Sequence, residues 1–278
     1  MNHKLLSTAG LFLTASLLSQ TIMAIGGTGL DADGAEGKGY VGVGAGFIPD
    51  YEGSDDYKAV PVIGARYTWA SGRFAKLGGA GGVEQAARLS LNLVDQRVTS
   101  TWTIGPLLQY RLKRDGSDLD DSRVKKMQDV DAQTEAGAFI GWHKDRVNVE
   151  VAFSSDISDK SNGSLGYLSG DYKIPYGAKT TFILGAHLTY ASSNFMDEYF
   201  GVNKKDAARS GLKRYRADSG LKDTGLKAGM LYSFNPTWSM FASMGYTRML
   251  GDAEDSPLVD DRGDKNQLSG ALAAVYMF

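Results

Sequence analysis

The sequence contains no cysteine and only 6 prolines in 278 residues. Without thiols there is no disulfide framework and no thiolate metal site. Charge of one sign is lacking too. The formal net charge is −2, so there is no cationic surplus of the kind that draws a chain onto nucleic acid. Histidine is scarce, and beyond His3 only His143 and His187 occur. Past the N-terminal segment no apolar run reaches the roughly 18 residues that a membrane-spanning helix requires. Helical periodicity is hard to find after residue 25.

A leader and a period of two are present. Lys4 precedes an apolar stretch from Leu5 to Leu18, which is too short to span a bilayer, and Ile22-Met23-Ala24 ends on a small residue suited to signal-peptidase cleavage. Residues 1–24 are therefore predicted to be a signal peptide and 25–278 the exported domain. Beyond it, bulky apolar residues alternate with small or polar ones. In "TWTIGPLLQYRL", Trp102, Ile104, Leu108 and Tyr110 share a face opposite Thr103, Gln109 and Arg111. The same alternation runs through "ARLSLNLV", "RVNVEVAF", "TFILGAHLTY" and "TWSMFASMGYT". The predicted strands are 38–47, 58–69, 73–81, 86–94, 101–112, 132–142, 145–154, 164–176, 179–190, 225–234, 237–249 and 267–278. At about ten residues each, they have the length a tilted strand needs to cross a bilayer, about twice that of a usual soluble strand.

Short intervals alternate with long ones, although 95–100 is middling where a turn is wanted and 82–85 short where a loop is wanted. Trp102, Tyr110, Trp142, Tyr190, Trp238 and Tyr246 fall near strand ends, where interfacial aromatic girdles lie. This is the pattern of a closed antiparallel transmembrane β-barrel, all-β, of 12 strands or alternatively 10, with periplasmic termini. Closure is forced, because an unpaired strand edge in hydrocarbon leaves N–H and C=O groups unsatisfied at several kcal/mol apiece. Tyr276 and Phe278 are then expected at the barrel seam, in an alternating aromatic ending that resembles the signal read by the assembly machinery of Gram-negative outer membranes. A soluble exported β-protein is the alternative.

The inward faces predict a lumen lined by Arg66, Arg88, Asn92, Gln109, Arg111, Gln133, Glu135, Asn148, Glu150 and His187. Catalysis is not expected. His187 could serve as a base only with a nucleophile or acid that no local motif supplies, and a hydrogen-bonded lumen histidine is the simpler reading. No metal-ligand spacing appears, "DADGAEG" lacks the full calcium-loop pattern, and "GVGAGF" at 42–47 fails the dinucleotide fingerprint at Phe47. No cofactor is expected. Loops 48–57 and 250–266 are acidic. Loop 191–224 is basic, with Lys204, Lys205, Arg209, Lys213, Arg214, Arg216 and Lys222. Either the loops fold together over the mouth, with basic side chains also able to grip lipopolysaccharide phosphates, or they carry solvated surface charges worth under about 1 kcal/mol per pair.

Three loop blocks add a resemblance. "PDYEGSDD" carries Pro49, Tyr51, Gly53 and Ser54. "YFGV" carries Tyr199, Phe200 and Gly201 and is followed by "AARSGLKRYRADSGLKDTGL". "GDAEDSPLV" carries Gly251, Asp252, Ser256 and Pro257. In this order they resemble the MipA/OmpV family of outer-membrane proteins over essentially the whole exported chain. The resemblance implies a Gram-negative outer-membrane barrel in contact with lipid and lipopolysaccharide. It also implies a structural role in peptidoglycan biosynthesis, as a scaffold linking a lytic transglycosylase with a bifunctional murein synthase. A narrow solute channel and a surface adhesin or receptor acting through the long loops are the alternatives.

Overall fold

The computed structural model describes residues 37–79 and 85–278 and the backbone of Met23–Ala24. Twelve antiparallel strands follow one another round a ring: β1 Lys38–Pro49, β2 Tyr57–Thr68, β3 Phe74–Gly79, β4 Ala86–Asn92, β5 Trp102–Arg111, β6 Gln133–Lys144, β7 Val147–Asp156, β8 Ser164–Tyr176, β9 Thr180–Ala191, β10 Gly220–Ser233, β11 Trp238–Met249 and β12 Asn266–Met277. β12 returns to β1, from Gly270 opposite Phe47 to Met277 opposite Tyr40. Phe278 completes the seam: its N–H donates to the Gly39 carbonyl at 3.0 Å, and its own carbonyl accepts the Gly39 N–H at 2.8 Å. Tyr276, on the outer face of that seam, packs edge-on against Trp238 and stacks with Phe278. The 12-strand closed barrel read from the sequence is the fold. The predicted signal peptide lies outside the described residues except for Met23–Ala24, which pairs in parallel with Val62–Ile63.

The wall inverts the usual rule of burial. Leu226 is 64% exposed and Phe153 55%, whereas Arg111 is 1% and Lys222 0% exposed. In water this distribution would unfold a protein. It is stable only where the outer face meets hydrocarbon and the inner face supplies polar partners. Trp102 and Trp238 lie exposed at the end of the wall that holds the two termini, and half-buried Trp142 lies at the same end, paired with Trp102. Tyr110, Tyr190 and Tyr246 lie exposed at the other end. The predicted lumen residues all fall on the inward side of their strands.

The connections alternate. At the periplasmic end the turns are 69–73, 93–101, 145–146, 177–179 and 234–237, and the opposite end carries the long loops. The middling interval 95–100 thus lies within a turn, 93–101. It is held to its neighbour by Asn92, whose Nδ2 donates to Gly72 and Val94 carbonyls and whose Oδ1 accepts from Val94 and Ile104 N–H groups.

Two expectations change in the region 191–224. Helices α1, Ser193–Phe200, and α2, Lys204–Ser210, replace plain loop, and β10 begins at Gly220 rather than 225. Both helices are too short to impose a periodicity that a sequence window detects. α2 is defined by its ends instead. Asn203 Oδ1 accepts the Lys205 and Asp206 N–H groups, and Gly211 closes the helix at φ 72°. The start of β10 is hidden by a bulge: Thr189 pairs with Asp223 but Tyr190 with Leu221, so Lys222 and Asp223 both turn inward and the period of two breaks.

Candidate functional site: a latched lid over the lumen

The first loop block makes a tight turn after β1. Gly53 stands at φ 102°, and an added Cβ would lie 2.4 Å from Val259 Cγ2. Only glycine fits both demands. Gln267 clamps this turn, since its Oε1 accepts the Gly53 N–H at 3.0 Å and its Nε2 donates to the Ser54 carbonyl at 2.8 Å. Buried Tyr51 donates its hydroxyl to the Leu258 carbonyl, and its pKa is pushed up by burial and then by nearby Asp121. The Pro49 carbonyl accepts from Gln85 Nε2. The turn directs Glu52 downward into the barrel.

Glu52 spans the lumen. One carboxylate oxygen accepts from Arg111 Nη1 of β5 at 3.1 Å, and the other accepts from Lys222 Nζ of β10 at 2.6 Å. These strands stand five places apart in a ring of twelve, so the carboxylate ties nearly opposite walls. Around it every charge has a counter-charge. Arg111 Nε donates to Glu135, which also accepts from Gln109, Gln133 and Ser154, and Lys222 pairs with Asp223. Arg88 donates to Gln109 and Glu150 and lies over the Tyr167 ring. A buried charge network of this kind is favourable only while complete.

The second block caps the network. α1 sits in the mouth with Phe195, Met196, Tyr199 and Phe200 all buried. Phe195 and Tyr199 stack at 4.3 Å, and the Arg111 guanidinium lies 5.0 Å from the Phe195 centroid. The Tyr199 pKa is raised by burial. Gly201 ends the helix where a Cβ would meet the Asp197 carbonyl at 2.2 Å. The third block fastens α1 from above. Ser256 Oγ donates to the Phe200 carbonyl at 2.6 Å beside buried Pro257. The loop turns at Gly251, φ 52°. The Asp252 carbonyl accepts from Tyr215, whose pKa is pushed up to about 12 by burial and neighbouring acids, and the Asp252 carboxylate accepts the Asp218 N–H. Tyr51, Leu119, Val124, Met127, Val202, Leu212 and Leu258 form an apolar core between the loops. The three sequence blocks thus meet in one lid.

The acidic and basic loops do fold together, through the Glu52–Lys222 ion pair, hydrogen bonds such as Asp218 N–H to the Asp252 carboxylate, and apolar packing. Lys222, read as a loop cation, is a lumen residue paired with Glu52, whereas Lys204, Lys205, Arg209, Lys213, Arg214 and Arg216 remain exposed. A cluster without a sequence signature also appears: Asp50, Asp56 and Asp120 bring carboxylate oxygens within 4.8 Å of one another. Burial raises the pKa of Asp50 and of Asp56, and neighbouring acids raise it further. His187 lies with Nε2 3.5 Å from Asp223 Oδ1, and among the described residues that nitrogen has no hydrogen-bond partner. The lumen latch has no sequence signature, because Glu52, Lys222 and Arg111 are far apart in sequence and only the fold joins them.

The family description "MltA-interacting protein MipA" matches residues 41–278, a span that takes in all three blocks and nearly the whole barrel. The chain belongs to the MipA family. It is 28% identical over 228 residues to the MltA-interacting protein of Escherichia coli (strain K12), covering 81% of this chain and 86% of that one. It is 29% identical over 161 residues to the outer membrane protein OmpV of Vibrio cholerae, covering 52% of this chain and 60% of that one. Among solved structures it is similar to an outer membrane channel from Pseudomonas putida F1, with a TM-score of 0.46 and 14% identity over 88% of this chain and 96% of that one. This MipA-family chain is an outer-membrane protein, as its wall chemistry requires.

Proposed function

We propose that this MipA-family barrel is a structural anchor that holds a lytic transglycosylase beside a bifunctional murein synthase at the periplasmic rim, without conducting solutes and without catalysis of its own. The observation that carries this reading is the Glu52 latch. A lumen tied from wall to wall and capped by stacked aromatics suits a static membrane mooring rather than a pore. The name of the E. coli relative, MltA-interacting protein, supports a murein-enzyme partner.

Crosslinking in intact cells, followed by purification of the full chain, tests it. Recovery of both enzyme classes with the barrel is the expected result. Recovery of the barrel alone, from envelopes in which both enzymes are present, would overturn the scaffold role.

A further inference from the structure

The lid's outer surface carries a charge separation that the latch does not use. The 3₁₀ turn Val124–Lys126 of the β5–β6 loop packs against α2 of the β9–β10 loop, through Val124, Met127, Val202 and Leu212. Asp206 Oδ1 accepts the Gln128 N–H at 2.7 Å, and Asn203 Nδ2 donates to Gln128 Oε1, so the two segments are registered to each other. This union gathers Arg123, Lys125, Lys126, Lys204, Lys205 and Arg209, all exposed. Among the described residues none of the six forms an ion pair. The acids on these segments already have partners, Asp121 accepting the Arg123 and Val124 N–H groups and pairing with Arg262. Asp206 is buried and bonded to Gln128 and Asn203, and Asp129 accepts the Gly116 N–H.

We propose that this two-loop cationic surface binds phosphate groups of the glycolipid in the outer leaflet. The physical case rests on three points. Six like charges brought together by an apolar joint repel one another, and a polyvalent anion relieves that repulsion while gaining charge-assisted hydrogen bonds. The surface lies on the lid, at the opposite end of the wall from the termini and short turns, where phosphorylated sugars of the outer leaflet stand around the barrel. It also lacks the stacking platform that single-stranded nucleic acid uses, because Phe195, Tyr199 and Phe200 are buried beneath it and Tyr215 is turned to Asp252. The chemistry recognised is a clustered phosphate monoester or diester on a sugar.

The experiment uses the full chain in detergent micelles and measures binding of purified deep-rough lipopolysaccharide. Parallel arms use the same glycolipid stripped of phosphate, inorganic pyrophosphate and duplex DNA. Wild-type protein is expected to bind the phosphorylated glycolipid, with affinity that falls as salt rises, and to bind the stripped form at least ~10-fold more weakly. Replacing Lys125, Lys126, Lys204 and Lys205 together by Gln is expected to cost at least ~10-fold, while replacing all four by Arg restores binding. The paired control Lys144→Gln and Lys179→Gln, on the periplasmic side, should leave affinity unchanged. Equal binding of stripped and phosphorylated glycolipid would overturn the proposal. So would a quadruple Gln variant that binds like wild type, or duplex DNA or pyrophosphate that binds as tightly as the glycolipid. The stripped-glycolipid arm needs no variant, so a misfolded mutant cannot leave the question open.

Discussion

The wall and the lid are made from the same chain but by different physics. The wall is local: each strand pairs with the next in sequence, and its pattern repeats every two residues. The lid is non-local. Tyr51 bonds to Leu258, Arg111 to Glu52, and Ser256 to Phe200. The wall's outer face is stabilised by lipid and tolerates exchange of one apolar residue for another. The lid is a small water-facing core set on an ionic floor, where single atoms matter. The difference implies that the two regions can be broken separately.

The largest effect should come from the wall seam. An added Cβ at Gly44 would lie 2.0 Å from the Leu272 carbonyl and 2.6 Å from Ala273 Cα, and these are backbone atoms of β12 that cannot step aside. Gly44→Val is expected to abolish the folded barrel, read as loss of the heat-modifiable band on a gel. Survival of that band would show that the seam yields more than hydrogen-bond closure permits.

Next is Glu52→Ala, which leaves Arg111 with Glu135 alone and Lys222 with Asp223 alone and should cost about 3 kcal/mol of lid stability. Proteolysis should then cut the long loops while the heat-modifiable band persists. Loss of both together would mean that wall and lid are one cooperative unit. Phe195→Ala should cost about 3 kcal/mol by leaving a cavity against Tyr199, with faster amide exchange confined to the lid. Ser256→Ala should cost about 1 kcal/mol, because the Phe200 carbonyl loses its donor, and should speed exchange around α1.

The smallest effect is a pH profile of lid protection. Burial, followed by repulsion from neighbouring acids, raises the Asp56 pKa; Asp50 is raised by burial too. An acid with a raised folded pKa opposes folding when ionised, so protection should first increase as pH falls through that raised value. Asp121 is different. Burial pushes its pKa up, but the Arg262 guanidinium and the Val124 and Arg123 N–H groups outweigh this and hold it low. Its contribution is present above the ordinary carboxylate value and is lost only as pH falls through the depressed one. Protection of the lid amides relative to the unfolded chain, measured from pH 7 downward, should therefore rise and then fall. Asp56→Asn should reduce the first phase and keep the second.

The same contrast explains how much could be read in advance. The closed barrel, the lumen-facing set from Arg66 to His187, and the outward aromatics follow from alternation, because a one-residue slip would place every charge in lipid, whereas alternation left the strand number at 12 or 10. One wall feature escaped: the bulge at Lys222–Asp223 resets the phase of β10. The lid was legible as composition and as three blocks, yet its contacts were not. Nothing in "PDYEGSDD" says that Glu52 turns inward while Asp50 and Asp56 gather with Asp120. Those choices depend on residues more than 50 positions away, such as Arg111 and Lys222, at separations of 59 and 170.

Single-channel recording of the purified full chain in a planar bilayer tests most directly whether the lumen is shut. A barrel latched by Glu52 should give no steady conductance steps at neutral pH. Regular open-channel steps from the wild-type protein, unchanged in Glu52→Ala, would contradict the latch and the anchoring role built on it.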